Sequence, residues 1–186
     1  MAWIDIIDEA DADGPLAAIY DEIADQRGNL SNIMRVHSLH PKAMRAHMDL
    51  YLELLFSRSD LSRATRELIA VVVSDVNDCP YCVAHHRAAL RAYWKDDARI
   101  DAVLAGDLAA ARVGAKQRAL IDYVRRLTRA PQSMTEEHVD ALRRAGLSDA
   151  AILDINLVAS YFNFVNRIAL GLGVSADAEE VDGYDY

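Results

Sequence analysis

Apolar side chains recur at intervals of three and four along nearly the whole chain, the spacing of one buried face on an α-helix, and no alternating stretch of strand length lies between hairpin turns. Pro15 opens the first predicted helix, which runs through Leu16, Ile19, Tyr20 and Ile23 to Gly28, with proline in the first turn and glycine past the end. A loop with a short turn should follow over 29–39. Pro41 then opens a helix with Met44, Met48, Tyr51, Leu52, Leu55 and Phe56 on one face. Ser62 is a good N-cap for a third long helix to about Asn77. Its Val71, Val72, Val73 run could pass for a buried strand, but Ala64, Arg66, Glu67, Leu68 and Ala70 favour a helix about 16 residues long. Asp78, Cys79 and Pro80 break the chain and begin a helix to about Trp94.

The C-terminal half reads the same way. A short helix spans Ile100 to Leu104, and Lys116 to Arg129 turns Leu120, Ile121, Val124 and Leu127 inward before Pro131. Thr135 caps a helix whose Glu136 and Glu137 oppose the positive end of its dipole. A long final helix from Ser148 carries Ile152, Ile155, Val158, Phe162, Val165 and Ala169 and stops at Gly171 and Gly173. These elements imply an all-α, single-domain helical bundle over 15–174, flanked by an acidic segment at 1–14 and an acidic tail at 175–186. At 186 residues and 52% hydrophobic content, the chain can bury a substantial core.

Charge changes the picture only at the ends. The formal net charge is −9, yet 1–13 and 173–186 each hold five acids and no Lys or Arg, and removing those ten from 29 leaves 19 acids against 20 bases between them. Such acidic ends are expected to be solvated or to pack on a neighbouring subunit. The nearly neutral body lacks the basic stripe that nucleic acid binding needs. No apolar run reaches the ~18 residues of a membrane span, and the start carries no basic region of an export signal, so a soluble cytoplasmic protein is expected.

Only two cysteines are present, as Cys79-Pro80-Tyr81-Cys82. A lone CxxC in a reducing compartment points to redox chemistry or to half a metal site. Cys79 falls at or near the N-cap and Cys82 in the first turn, where unpaired amides and the helix dipole favour a thiolate. Cα atoms three apart in a helical turn are roughly 5 Å from each other, inside the ~4.4–6.8 Å range of a disulfide. His86 follows Cys82 by four and shares its face, whereas His85 is rotated about 100° away and is the weaker candidate. Helix-end position favours Cys79 as the more acidic thiol, and His86 favours Cys82. Cys82 is taken as the attacking sulfur, because an imidazole can move a proton and a dipole cannot. Glu67 alone could be a surface acid beside Arg63 or Arg66. Along an unbroken helix it would lie about 18 Å from Cys79, so it reaches the thiols only if the chain turns back near Asn77 to Pro80.

The Glu, eleven residues, CxxC, three residues, His pattern met by Glu67, Cys79, Cys82 and His86, set in RELIAVVVSDVNDCPYCVAHH, resembles the alkylhydroperoxidase D-like family of the carboxymuconolactone decarboxylase superfamily, most closely its peroxidase-related branch. SMTEEHVDALRRAGLSD and FNFVNRIALGLGV downstream extend the resemblance over roughly Pro15 to Val174. The resemblance implies an all-α fold, reduction of hydroperoxides through the two cysteines, a His86/Glu67 proton relay and a homo-oligomer, commonly a trimer or hexamer; no cofactor or metal is expected. A thiol or protein reductant would restore the dithiol. Some members have His before the second cysteine where this chain has Tyr81. The alternatives are a dithiol–disulfide reductase serving another peroxidase, and a non-catalytic oligomeric protein whose Cys79, Cys82, His86 and one further His hold zinc. Asn163, Asn166 and Arg167 are expected to be buried polar or subunit-contact residues.

Overall fold

Every regular element in the computed structural model is helical; it describes residues 2–176 and 180–181. The order is α1 (Gly14–Arg27), α2 (Asn32–Arg35), α3 (Pro41–Phe56), α4 (Arg63–Val76), α5 (Pro80–Trp94), α6 (Asp97–Leu104), α7 (Ala115–Arg129), α8 (Glu136–Arg144) and α9 (Asp149–Leu172). Short 3₁₀ turns lie at Glu9–Asp11 and Pro131–Ser133. Among the described residues there is no strand, and no helix is long and apolar enough to cross a membrane. The expected helices are present, with boundaries shifted by a residue or so at most ends and by three at the start of α6.

The starts and stops follow local chemistry. Ser62 and Ser148 accept backbone hydrogens from Thr65 and Ala151 through their hydroxyls. Gly28 and Gly173 end α1 and α9 with φ of 74° and 65°, a left-handed conformation that costs glycine little.

The centre of the bundle is α4, whose run from Arg66 to Ser74 is buried without interruption. A helix apolar on every side is one covered on every side, and α5, α7 and α9 do most of the covering. That explains the Val71, Val72, Val73 run: it is strand-like in composition because its helix has no solvent face. Phe162 of α9 is 1% exposed in this core, a burial that stabilises by roughly 1.5–3 kcal/mol.

The chain ends lie against the bundle where they are described. The Trp3 amide donates to the Leu172 carbonyl at 2.8 Å, and Tyr20 donates its hydroxyl hydrogen to the Ile7 carbonyl at 2.7 Å. Glu180, in the acidic tail, is only 6% exposed. It folds onto its own chain; 177–179 and 182–186 lie outside the described residues.

Candidate active site

The turn between α4 and α5 creates the site. Asp78 adopts φ of 52°, and the Cys79 amide then donates to the Ser74 carbonyl at 2.9 Å, so the chain reverses within three residues. Cys79 is the extended residue immediately before α5, Pro80 occupies the first helical turn, and α5 runs back along α4. This reversal supplies the condition on which a role for Glu67 depended. Its Oε2 lies 2.7 Å from Nδ1 of His86, nineteen residues later.

Glu67 is fully buried, not a surface acid. Its Oε1 accepts from Nε of Arg63 at 2.7 Å and from the guanidinium end at 2.6 Å. Burial pushes its pKa up, but the charge and hydrogen bonds of His86 and Arg63 outweigh that and hold it below the usual carboxylate value. With Nδ1 committed to Glu67, Nε2 is the nitrogen of His86 left to exchange a proton elsewhere. The ring stands edge-to-face on Phe162, centroids 4.4 Å apart, which fixes its plane.

Both cysteines are free thiols, 1% and 2% exposed. The Cys82 thiol donates to Cys79, which pulls Cys79 down to about 7 against the effect of burial, helped by the Cys82 and Tyr81 amides at the helix mouth. Cys82 is pushed up, first because it is the donor in that bond, then by burial and by charge on Cys79; hydrogen bonds with Asn166 and Ser74 oppose this. The first proton of the pair is therefore the easy one to lose, and it leaves from Cys79. Asn166 is itself fully buried, donating to Ser74 Oγ at 3.1 Å and accepting from Asn77 at 2.9 Å. Asn163 accepts from Asn77 at 3.1 Å and donates to Thr128 at 3.2 Å, which makes this part of α9 a polar brace behind the dithiol.

A cavity of about 80 Å³ joins these groups. Cys82, His86, Glu67 and Arg63 border it on one side, and Met34, Met48, Tyr51, Tyr161, Phe162 and Val165 give it an apolar, aromatic lining. Three of the four expected site residues thus meet at one cavity, while Cys79 sits behind Cys82 and is not part of the lining. Among the described residues no group of three or more His, Cys, Asp or Glu side chains is placed to hold a metal ion.

Two features had no signal in the sequence. Tyr81 packs its ring on His85 at 4.7 Å and donates its hydroxyl hydrogen to Glu180 at 2.6 Å. Glu180 also accepts from the Asn32 amide at 2.8 Å and lies 3.4 Å from Nε2 of His85. Those donors hold its pKa below the usual value despite burial. The second feature is a hydrogen-bonded series from Tyr161 through His47 to His37. Both join residues about a hundred positions apart, which spacing along a helix cannot report.

Residues 41–122 match the carboxymuconolactone decarboxylase family. The fold is similar to the crystal structure of an uncharacterised peroxidase-related protein from Ralstonia eutropha JMP134, described as an alkylhydroperoxidase AhpD core, with TM-score 0.85 and 27% identity over 97% of this chain and 94% of that one. A peroxidase-related protein from Silicibacter sp. TM1040 gives 0.83 and 29% over the same shares. The debrominase Bmp8 has the same fold at TM-score 0.78 and 18% identity, covering 96% and 94%. An uncharacterised Bacillus subtilis (strain 168) protein, YdfG, is 24% identical over 144 residues, 77% of this chain and 96% of its own. Residues 41–122 thus match the carboxymuconolactone decarboxylase family, and the chain as a whole is similar in fold to the alkylhydroperoxidase D-like, peroxidase-related proteins.

Proposed function

We propose that the protein reduces hydroperoxides through a Cys79/Cys82 dithiol–disulfide cycle, with His86 as proton donor and Glu67 as its positioning carboxylate. The observation that carries this reading is the convergence of Cys82, His86 and the buried Arg63-paired Glu67 on one cavity. Both sulfurs are too buried to meet the disulfide of a folded protein partner, which favours a small substrate entering the cavity over the reductase alternative.

Cys79 holds the resting thiolate, and Cys82 faces the substrate. Passing the Cys82 proton to Cys79 along their hydrogen bond delivers the charge to the sulfur at the cavity. The Cys82 thiolate attacks the terminal oxygen of ROOH, the O–O bond breaks, and a sulfenic acid and RO⁻ form. RO⁻ takes a proton from His86, which recovers one from solvent, and leaves as ROH. Cys79 then attacks the Cys82 sulfur, releasing water and closing the disulfide. Two equivalents of an external thiol, oxidised to their own disulfide, restore the dithiol.

The test is single-turnover consumption of tert-butyl hydroperoxide by pre-reduced protein, with the product mapped by mass spectrometry. One peroxide should be consumed per chain and both thiols lost together into a Cys79–Cys82 disulfide, with a rate that rises with pH through about 7 as Cys79 ionises. Thiols that stay fully alkylatable after excess peroxide would sink the assignment.

A further inference from the structure

The α9 side of the cavity carries polar groups that the peroxide chemistry above leaves unused. Tyr161 borders the cavity with Cys82, and its hydroxyl lies 2.8 Å from Nε2 of His47. Nδ1 of His47 lies 3.3 Å from Nε2 of His37, and Nδ1 of His37 lies 2.8 Å from the Ile33 carbonyl oxygen. A carbonyl oxygen can only accept, so Nδ1 of His37 bears the hydrogen. Neutral His37 then offers Nε2 as an acceptor, which places the hydrogen of His47 on Nδ1. Nε2 of His47 in turn accepts from Tyr161. Both rings are neutral: burial drives His47 down to about 3 and lowers His37 as well. Turning the series round would set a lone pair of His37 against the Ile33 oxygen and forfeit a buried hydrogen bond.

The consequence is a phenol whose hydrogen is already committed. Tyr161 has only oxygen lone pairs left for a ligand. Burial raises its pKa well above the usual value, and charge on Tyr51 or Cys82 raises it further, so it stays a neutral acceptor while the thiolate forms beside it.

We propose that Tyr161 is the acceptor subsite that binds the O–H end of the substrate, so that the cavity takes neutral hydroperoxides and other hydroxyl-bearing apolar molecules and disfavours ligands that can only accept. This rests on the hydroperoxide reading for its substrate, though not for its binding preference. The oxygen that bears the hydrogen in ROO–H is the one that Cys82 attacks, so an O–H donated to Tyr161 fixes the reacting atom within the cavity that Cys82 also borders. The R group lies along Met34, Met48, Phe162 and Val165. Tyr161 neither gains nor loses a proton, and the proton for RO⁻ comes from His86 as above.

The test titrates reduced protein with tert-butanol and with tert-butyl methyl ether, followed by NMR. Wild type should bind the alcohol about fivefold more tightly, the size of one modest net hydrogen bond. Tyr161→Phe, which keeps the ring, should abolish the difference and raise KM for tert-butyl hydroperoxide by about the same factor, with the limiting single-turnover rate within about twofold. His37→Leu, at a residue that does not border the cavity, frees the His47 ring to turn over and Tyr161 to donate, so it should narrow or reverse the preference. That arm keeps the test decisive should Tyr161→Phe fold poorly. An equal affinity for both ligands in wild type, or a preference that survives Tyr161→Phe, overturns the subsite. Failure to form the disulfide with peroxide would overturn the peroxidase reading and leave the alcohol and ether titrations as they are.

Discussion

Two histidine systems reach the same cavity, one through His86 itself on the α4–α5 side and one through Tyr161 on the α9 side, and they differ in what stands behind the ring. His86 has a carboxylate, itself held by a guanidinium. His47 has another imidazole and a phenol, and beyond them a carbonyl. A proton on His86 is balanced by Glu67, whereas a proton on His47 has no counter-charge among its hydrogen-bond partners and is repelled by His37. Burial alone therefore does not make a histidine a proton carrier. The group behind it decides: an ion makes a donor of variable charge, and a neutral series anchored on a carbonyl makes a dipole of fixed direction.

The sharpest way to break this comparison is kinetic. His86→Ala should slow the single-turnover peroxide step about 10²-fold, the usual scale for loss of a general acid. His47→Phe should slow it by less than about tenfold, since only orientation is lost. Stopped-flow traces showing equal losses would erase the distinction between the two sides.

A smaller effect appears in stability against pH. His47 folds neutral with its pKa lowered from 6.5 to about 3, so between those values the unfolded chain binds the proton and the native state does not. The sign follows: its contribution is fully present above 6.5 and is lost as the pH falls toward 3, at up to about 1.4 kcal/mol per pH unit. Urea unfolding should therefore show about 2–3 kcal/mol lost from this source between pH 6.5 and 4.5. Glu67, whose pKa is lowered from 4.5, adds its own loss only below that value, as the pH falls through its folded pKa. His47→Phe should flatten the upper window and leave the lower one in place. An unchanged slope from 6.5 to 4.5 would mean that the α9 side does take up a proton.

The smallest expected effect concerns the tail. Glu180→Gln keeps the shape but weakens the charge-assisted bonds to Tyr81, His85 and Asn32. Alkylation of reduced Cys82 by iodoacetamide should speed up by about threefold, and a rate equal to wild type would show that this carboxylate does not restrict access to either side.

The α4–α5 side was largely legible in the sequence because its geometry is local. The spacing of Cys82 and His86 along one helix fixes their common face, and Asp78, Cys79 and Pro80 mark the reversal that brings Glu67 alongside. What spacing could not settle was the division of acidity between the sulfurs: the helix-mouth amides and the Cys82 thiol itself favour Cys79. The α9 side was illegible. Tyr161 and His47 are 114 positions apart, and no local spacing relates them. Tyr81 looked like a missing histidine, and its hydroxyl instead reaches a carboxylate 99 positions away. Asn166 was legible as a buried polar residue, but its partners Ser74 and Asn77 were not.

The α4–α5 hairpin also bears on how the chain is made. Glu67, His86 and both cysteines lie in a stretch of 20 residues whose contacts are local, and local contacts form early in folding, while α9 arrives from far along the chain. We expect the dithiol to be assembled, and still uncovered, before α9 closes over it. An oxidant met in that interval finds only two thiols, three positions apart, so any disulfide formed within a single chain is the one the proposed cycle uses. Premature oxidation of a newly made chain would then be reversible by the reductant of the proposed cycle, and would leave no mispaired form to unscramble.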